Sequence, residues 1–322
     1  MSASGGPVGE HRAAGAEGAS ANTPRDAFLR ACRLDVAVRK PGNVSLASAG
    51  HRMQAQQFIA SAEAAAGPLF EPGASVGRRI EGAVAATWQA VGCNTNLGIV
   101  LLCAPLATAA ERVREPSADA LRRSLQGVLA ALDVDDARAA YRAIAMAQPA
   151  GLGQVEAQDV HAEPDVDLRE AMRLAADRDS IALQYANGFA HLFELGLTAL
   201  GMGGEGAAAE APAAAVQRLY LTWLATLPDS HIVRKHGAAV AQTVMDAAQG
   251  WLTLARQSAS PLDDSLIAAW EEALKADGIN PGTSADLTVA TLFAAGLTHE
   301  PGAAEARAFR QSRKPAGTWH GT

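Results

Sequence analysis

Three aspartates and two adjacent pairs of cations stand in or beside polar turns, and they carry the charge that chemistry would need. Asp179, Asp229 and Asp286 are the carboxylates; Arg39-Lys40 and Arg234-Lys235 are the cations. Small polar residues accompany them: Asn43 and Ser45, Asn94-Thr95-Asn96, and Thr283-Ser284. Arg39-Lys40 precedes the turn Pro41-Gly42-Asn43, which reads either as a seat for a polyphosphate or as a solvated basic turn. Asn94-Thr95-Asn96-Leu97-Gly98 opens into the apolar run Ile99 to Ala110. It either caps a buried helix or offers the helix's unpaired N–H groups and partial positive charge to an anion. Each aspartate also has a plain structural explanation. Asp179 falls within a long helical pattern, Asp229 follows Pro228 where a helix ends, and Asp286 completes a capping box with Thr283. His231 and His236 flank the second cation pair and read as surface histidines that titrate near neutrality. Tyr185 reads as core and Cys93 as a packing residue.

The elements that must position these residues follow from composition. The chain has 322 residues, 49% of them hydrophobic but only 5% aromatic, with alanine dominant. That mixture favours closely packed helices over sheets. No segment alternates like a strand and no repeat of fixed period emerges, so the expected fold is all-α. We expect a flexible N-terminal tail over 1–24, one large multi-helix catalytic domain over 25–297 and a C-terminal tail over 298–322. A net charge of −7 and a pI near 5.6 argue against non-specific nucleic-acid binding, while leaving room for a nucleotide ligand. Cys32, Cys93 and Cys103 show no CxxC spacing and, with no signal-peptide-like N-terminal region, read as reduced cytoplasmic thiols. Leu97 to Ala110 is too short to span a bilayer and contains Pro105, so no membrane partner is expected. An Ala-rich helical surface would support a homodimer.

Local signals divide the chain. Thr23-Pro24-Arg25-Asp26 is a capping box opening a helix that carries Phe28, Cys32 and Val36 on one face. Helices are expected over about Gln54–Ala66, from Ser75 to Gly92, over Leu97–Ala110 and from Ser117 to Leu132, then a shorter one capped by Asp135 or Asp136. Pro149 to Glu163 reads as a long loop with a binding or lid role. Asp167 caps a helix expected to run unbroken towards Leu200, and Gly201 to Ala215 reads as a connection. Further helices are expected over Ala214–Leu227, Ala238–Arg256, Leu262–Ala276 and Leu287–Leu297.

Five of the turns, taken together, resemble one family. They are KPGNVS (Lys40–Ser45), NTNLGIVLL (Asn94–Leu102), RDSIALQY (Arg178–Tyr185), PDSHIVRKHG (Pro228–Gly237) and NPGTSADLTVATLF (Asn280–Phe293). Their order and spacing are similar to the triphosphoribosyl-dephospho-CoA synthase family, over about Arg30 to Leu297. The resemblance implies an all-α transferase that joins ATP to 3′-dephospho-CoA, releasing adenine and forming a ribosyl–ribose link in cofactor or prosthetic-group biosynthesis. Two departures stand out. Citrate-lyase-type members tend to read NTHKG where this chain has Asn96 and Leu97, and an Arg-Gly-Glu-Ala element has no clear copy, Gly151–Glu156 being the nearest stretch. These mark a divergent subgroup whose acceptor need not be dephospho-CoA.

The implied chemistry breaks an adenine–ribose bond through an oxocarbenium-like sugar. It calls for a proton donor at the base, a carboxylate near the sugar, a base for the attacking hydroxyl, and Mg²⁺ or cations on the triphosphate. On the resemblance, Asp179, Asp229 and Asp286 are catalytic, with Asp229 and Asp286 also ligands of Mg²⁺ and Asp179 nearest the sugar, in interchangeable roles. Arg39, Lys40, Asn43, Ser45, Asn94, Thr95, Asn96, Arg234, Lys235, Thr283 and Ser284 would bind ATP and its nucleotide-like acceptor. Two alternatives stay open: hydrolysis of a nucleotide N-glycosidic bond, and a nucleotide-binding scaffold that has lost the chemistry.

Overall fold

Helix caps decide where this chain turns. In the computed structural model, which describes residues 23–51, 53–148, 163–201, 212–257, 262 and 264–298, fourteen α-helices and no strand occur among the described residues. Thr23 closes the expected capping box on α1 (Pro24–Ala37). α2 (Ala55–Leu69) runs through Pro68, three residues past the expected end. Ser75 caps α3 (Val76–Val91), which stops at Gly92 with φ 68°, the left-handed region where glycine carries no Cβ penalty. α4 (Leu97–Ala110) follows, then α5 (Ala118–Ala130) capped by Ser117. α6 (Val134–Ala147) is capped by Asp133 rather than Asp135 or Asp136; Asp136 is its capping-box partner.

The expected long helix from Asp167 is broken. α7 (Leu168–Ala175) ends in a turn, and Asp179 restarts the chain as the N-cap of α8 (Ser180–Ala186). A π-helical turn (Leu192–Gly196) then leads into α9 (Leu197–Ala199). The apolar pattern continues through the break because α7 and α8 pack on the same core, and periodicity does not reveal a cap. After α10 (Pro212–Thr226), the sequence reading also misses α11 (Ser230–His236), a short helix capped by Asp229. α12 (Ala238–Arg256), α13 (Asp264–Ala276) and α14 (Gly282–Thr298) complete the chain. α14 starts before Thr283, so the expected Thr283–Asp286 capping box does not form. The tail segments 1–22 and 299–322, the loop segment 149–162 with Gly151–Glu156, and the connection 202–211 lie outside the described residues.

α4 is the axis. Leu97 through Ala109 are all buried, as a helix apolar on every side must be. It is covered by α3, α5, α14, α2, α6 and α8, while α10, α11 and α12 gather a second apolar cluster beside it. Pro105 lacks the N–H that would meet the Leu101 carbonyl, and the fully buried Tyr185 hydroxyl donates to that carbonyl instead, at 2.6 Å. Tyr185 is therefore core, as read, and it ties α8 to α4. No helix among the described residues is long and apolar enough to cross a membrane.

Candidate functional site

The five motif turns lie far apart in sequence and meet at one junction. In the first, Asn43 Nδ2 donates to Asn280 Oδ1 at 3.0 Å with both residues buried, so KPGN sits on NPG. Gly42 permits this approach: its φ is 78°, and an added Cβ would lie 2.7 Å from Pro281 Cδ. In the next, Ser284 donates its backbone N–H and its hydroxyl to Asp229 Oδ2, at 2.7 and 2.8 Å, joining α14 to α11. The backbone N–H of Ser180 donates to the Ser230 hydroxyl at 2.8 Å, and Arg234 Nη1 donates to Asp179 Oδ2 at 2.5 Å, joining α11 to α8. Gly98 closes the ring. A Cβ there would lie 2.0 Å from Asp286 Oδ2 and 2.7 Å from Ile181 Cδ1, so α14 and α8 both crowd the first turn of α4. Four helix N-termini thus converge and bring partial positive charge together, although the first N–H groups of α8 are taken by Ser230 and Asp179 and those of His231 and Ile232 in α11 by Asp229.

The three aspartates differ sharply in freedom. Asp229 Oδ1 accepts from the N–H groups of His231 and Ile232 and its Oδ2 from Ser284 twice, so all its acceptor sites are filled. Burial pushes its carboxyl up, and the Ser284 bonds oppose that. Asp179 caps α8 through Ile181 and Ala182 and holds Arg234. Asp286 is half-buried and, among the described residues, makes no hydrogen bond or ion pair. Loss of hydration and the nearby Asp229 and Asp35 carboxylates push its carboxyl well above the usual range, with Arg234 opposing and Asp179 reinforcing. Asp286 is the carboxylate left available.

Several expected ligands are committed elsewhere. Lys40 is fully buried and pairs with Asp35 Oδ1 at 3.2 Å, while Arg39 pairs with Glu271 at 2.6 Å. The turn is therefore not a solvated basic loop, and Lys40 points inward because Asp35 needs its charge. Thr95 and Asn96 also face inward: the Thr95 hydroxyl meets that of Ser61, and Asn96 Nδ2 donates to Ser61 O at 3.4 Å and Thr87 Oγ1 at 3.0 Å. Asn94 Oδ1 accepts from the Leu97 N–H at 3.2 Å. What this motif leaves to a ligand is backbone rather than side chain. Thr283 and Ser45 are buried, and the Ser45 hydroxyl has no partner among the described residues. Lys235 is exposed, with its Nζ 3.1 Å from the Gly278 carbonyl.

Reasoning from sequence missed Asp35, Ser61, Thr87, His51 and the state of His231. Asp35 left a signal, since it lies three residues after Cys32 on the apolar face of α1. It lines a cavity of ≈ 10 Å³ with Asn96, Cys32 and Val289, room for about one water. His231 is half-buried against Gly282 rather than on the surface; burial first, then Arg234 and Lys235, bring its imidazole down to about 4, so it is neutral at pH 7. Among the described residues no three His, Cys, Asp or Glu side chains gather as a metal cage. Asp229 does not fit a Mg²⁺ ligand, because a metal would have to displace bonds that join two helices. Asp286 keeps its carboxylate oxygens clear of hydrogen bonds and ion pairs among the described residues.

Comparison with known proteins gives this junction a context. Residues 21–304 match the family model described as ATP:dephospho-CoA triphosphoribosyl transferase. No curated protein matches. Among solved structures, a crystal structure from Archaeoglobus fulgidus, described as a candidate triphosphoribosyl-dephospho-CoA synthase, shares the fold. Its TM-score is 0.59 at 23% identity, covering 75% of this chain and 98% of that one.

Proposed function

We propose that this chain, which belongs to the ATP:dephospho-CoA triphosphoribosyl transferase family, moves the triphosphoribosyl part of ATP onto a hydroxyl of a nucleotide-like acceptor and releases adenine. The observation that carries the reading is the convergence of five turns on Asp286, a half-buried carboxylate with no hydrogen-bond or ion-pair partner among the described residues, ringed by helix N-termini. In the reaction the bond between C1′ and the adenine nitrogen breaks, and its electron pair leaves with the base, which gains a proton. The acceptor oxygen bonds to C1′ and gives up its own proton. Asp286 takes that proton, since a carboxyl held above its usual range is a stronger base. The first turns of α4 and α14, with Arg234, favour the triphosphate's negative charge.

Asp179 and Asp229 act as positioning residues in this reading, the first by holding Arg234 and the second by fixing α14 against α11. Mg²⁺ held by the triphosphate itself would neutralise its charge, leaving Asp286 as the base. The test is product analysis with ATP, Mg²⁺ and dephospho-CoA. Adenine with an equimolar nucleotide adduct supports transfer to that acceptor. Adenine without adduct would point to hydrolysis, and binding without turnover to a scaffold.

A further inference from the structure

We propose that the imidazole of His231 grips the departing adenine, its N–H donating to a ring nitrogen of the base while the bond to C1′ breaks. The contact rests on the transfer reading and deepens it: Asp286 serves the acceptor hydroxyl, and the base needs a donor of its own.

Asp229 fixes where that ring lies. Its Oδ1 accepts from the backbone N–H of His231 at 3.0 Å, and its Oδ2 accepts from the backbone N–H and the hydroxyl of Ser284 at 2.7 and 2.8 Å. One carboxylate thereby clamps the start of α11 to the first turn of α14. The His231 ring lies over that turn, because a Cβ on Gly282 would sit 3.3 Å from its Nδ1 and 3.7 Å from its Cγ. Gly282 and Asp286 are four residues apart on α14, so they share one face, with about 5–6 Å between such positions. Imidazole and carboxylate thus stand one helical turn apart, where a nucleoside with its sugar at Asp286 brings its base to the ring.

His231 is also uncommitted. Its ring is half-buried and makes no hydrogen bond or ion pair among the described residues, a state it shares with Asp286. The rest of α11 is engaged: Arg234 pairs with Asp179, and Lys235 and His236 both reach the Gly278 carbonyl. Burial, then Arg234, Lys235, His51 and His236, bring the His231 imidazole down to about 4, so the ring is uncharged at neutral pH. A neutral imidazole still carries one N–H and one lone pair, so it donates without being a cation. That suits this bond cleavage, in which positive charge grows on the sugar and negative charge on the base. The N–H meets the charge on the base where it develops, and a neutral ring does not repel the sugar. The electron pair of the broken bond moves into the purine, and the N–H bridges to the ring nitrogen that gains density. The proton the base finally takes comes from solvent, matched by the one Asp286 draws from the acceptor hydroxyl and returns. His231 ends in the state in which it began.

The test compares two substrates in the full chain, with Mg²⁺ and dephospho-CoA present: ATP, and ATP methylated at N7, whose positively charged base leaves as a neutral molecule without a donor. On ATP, His231→Ala should lose about a hundredfold in kcat/KM for release of the base. His231→Gln, which keeps an N–H donor, should fall between that variant and wild type. On the methylated substrate His231→Ala should match wild type. The ratio of the two substrates is read within one variant, so a change in folding cancels from it. Wild-type adenine release by His231→Ala, or an equal loss on both substrates, overturns the proposal. If wild type releases no base from either substrate, the transfer reading fails, and calorimetry judges the contact by itself. His231→Ala should then bind ATP about threefold more weakly and inorganic triphosphate as tightly as wild type. Equal ATP affinity, or an equal fall for inorganic triphosphate, overturns the contact.

Discussion

Replacing Gly98 by alanine puts one methyl group where Asp286 now lies. The new Cβ would be 2.0 Å from Asp286 Oδ2, 2.5 Å from its Cγ and 2.7 Å from Ile181 Cδ1, whereas ordinary contact begins near 3.4 Å. Every one of these atoms belongs to a side chain that can rotate, and none to backbone. Relief therefore comes by swinging Asp286 and Ile181 aside. The stability cost should fall at the low end of overpacking, about 1 kcal/mol, which for a domain of this size is a Tm drop of about 2–4 °C. The functional cost should be far larger, since Oδ2 must retreat by more than 1 Å to reach 3.4 Å. Displacement of a reacting group by about 1 Å costs on the order of 10²-fold in rate. Thermal unfolding read beside kcat/KM for adenine release separates the two effects. Wild-type turnover in Gly98→Ala would refute the placement of Asp286 at the reacting centre. A Tm loss large enough to account for the lost rate would reduce Gly98 to a packing residue.

Other perturbations have different signatures. Asp229→Asn presents an amide N–H₂ to backbone donors that now find an acceptor, so we expect a loss of about 2–4 kcal/mol by urea unfolding at any Mg²⁺ concentration. Lys40→Met strands the buried Asp35 and should cost about 3–5 kcal/mol, while the double variant Asp35→Leu/Lys40→Met should recover most of it by the same measurement. For Asp286, the folded pKa lies above 3.8, so folding favours its protonated form. That contribution is complete below the unfolded pKa and is lost as pH rises through the folded one. Asp286→Asn, neutral throughout, should therefore match wild-type Tm in acid and exceed it increasingly towards alkaline pH in a thermal-shift series.

Much of the frame was legible before any coordinates. Thr23, Ser75, Ser117, Asp167 and Gly92 end or begin helices as their chemistry demands, and Leu97 to Ala110 is buried as an apolar run should be. The turns that meet at the site were also legible as turns. Which of their side chains remain available was not, because that depends on partners tens to hundreds of residues away. Asp179 reads as mid-helix until Arg234 and the restart of α8 explain it. Lys40 reads as part of a phosphate seat or a solvated turn until Asp35 claims it, and Thr95 reads as a phosphate contact until Ser61 and the wall of α2 appear. Asp229 and Asp286 look equivalent in sequence. Among the described residues, four hydrogen bonds to the first and none to the second set them apart.

That asymmetry is the centre of the account, and one comparison tests it directly: adenine release from ATP by wild type and by Asp286→Asn, each with its Tm recorded in the same buffer. For Asp286→Asn, kcat/KM should fall at least a hundredfold with Tm unchanged or raised. Wild-type adenine release by Asp286→Asn would contradict it.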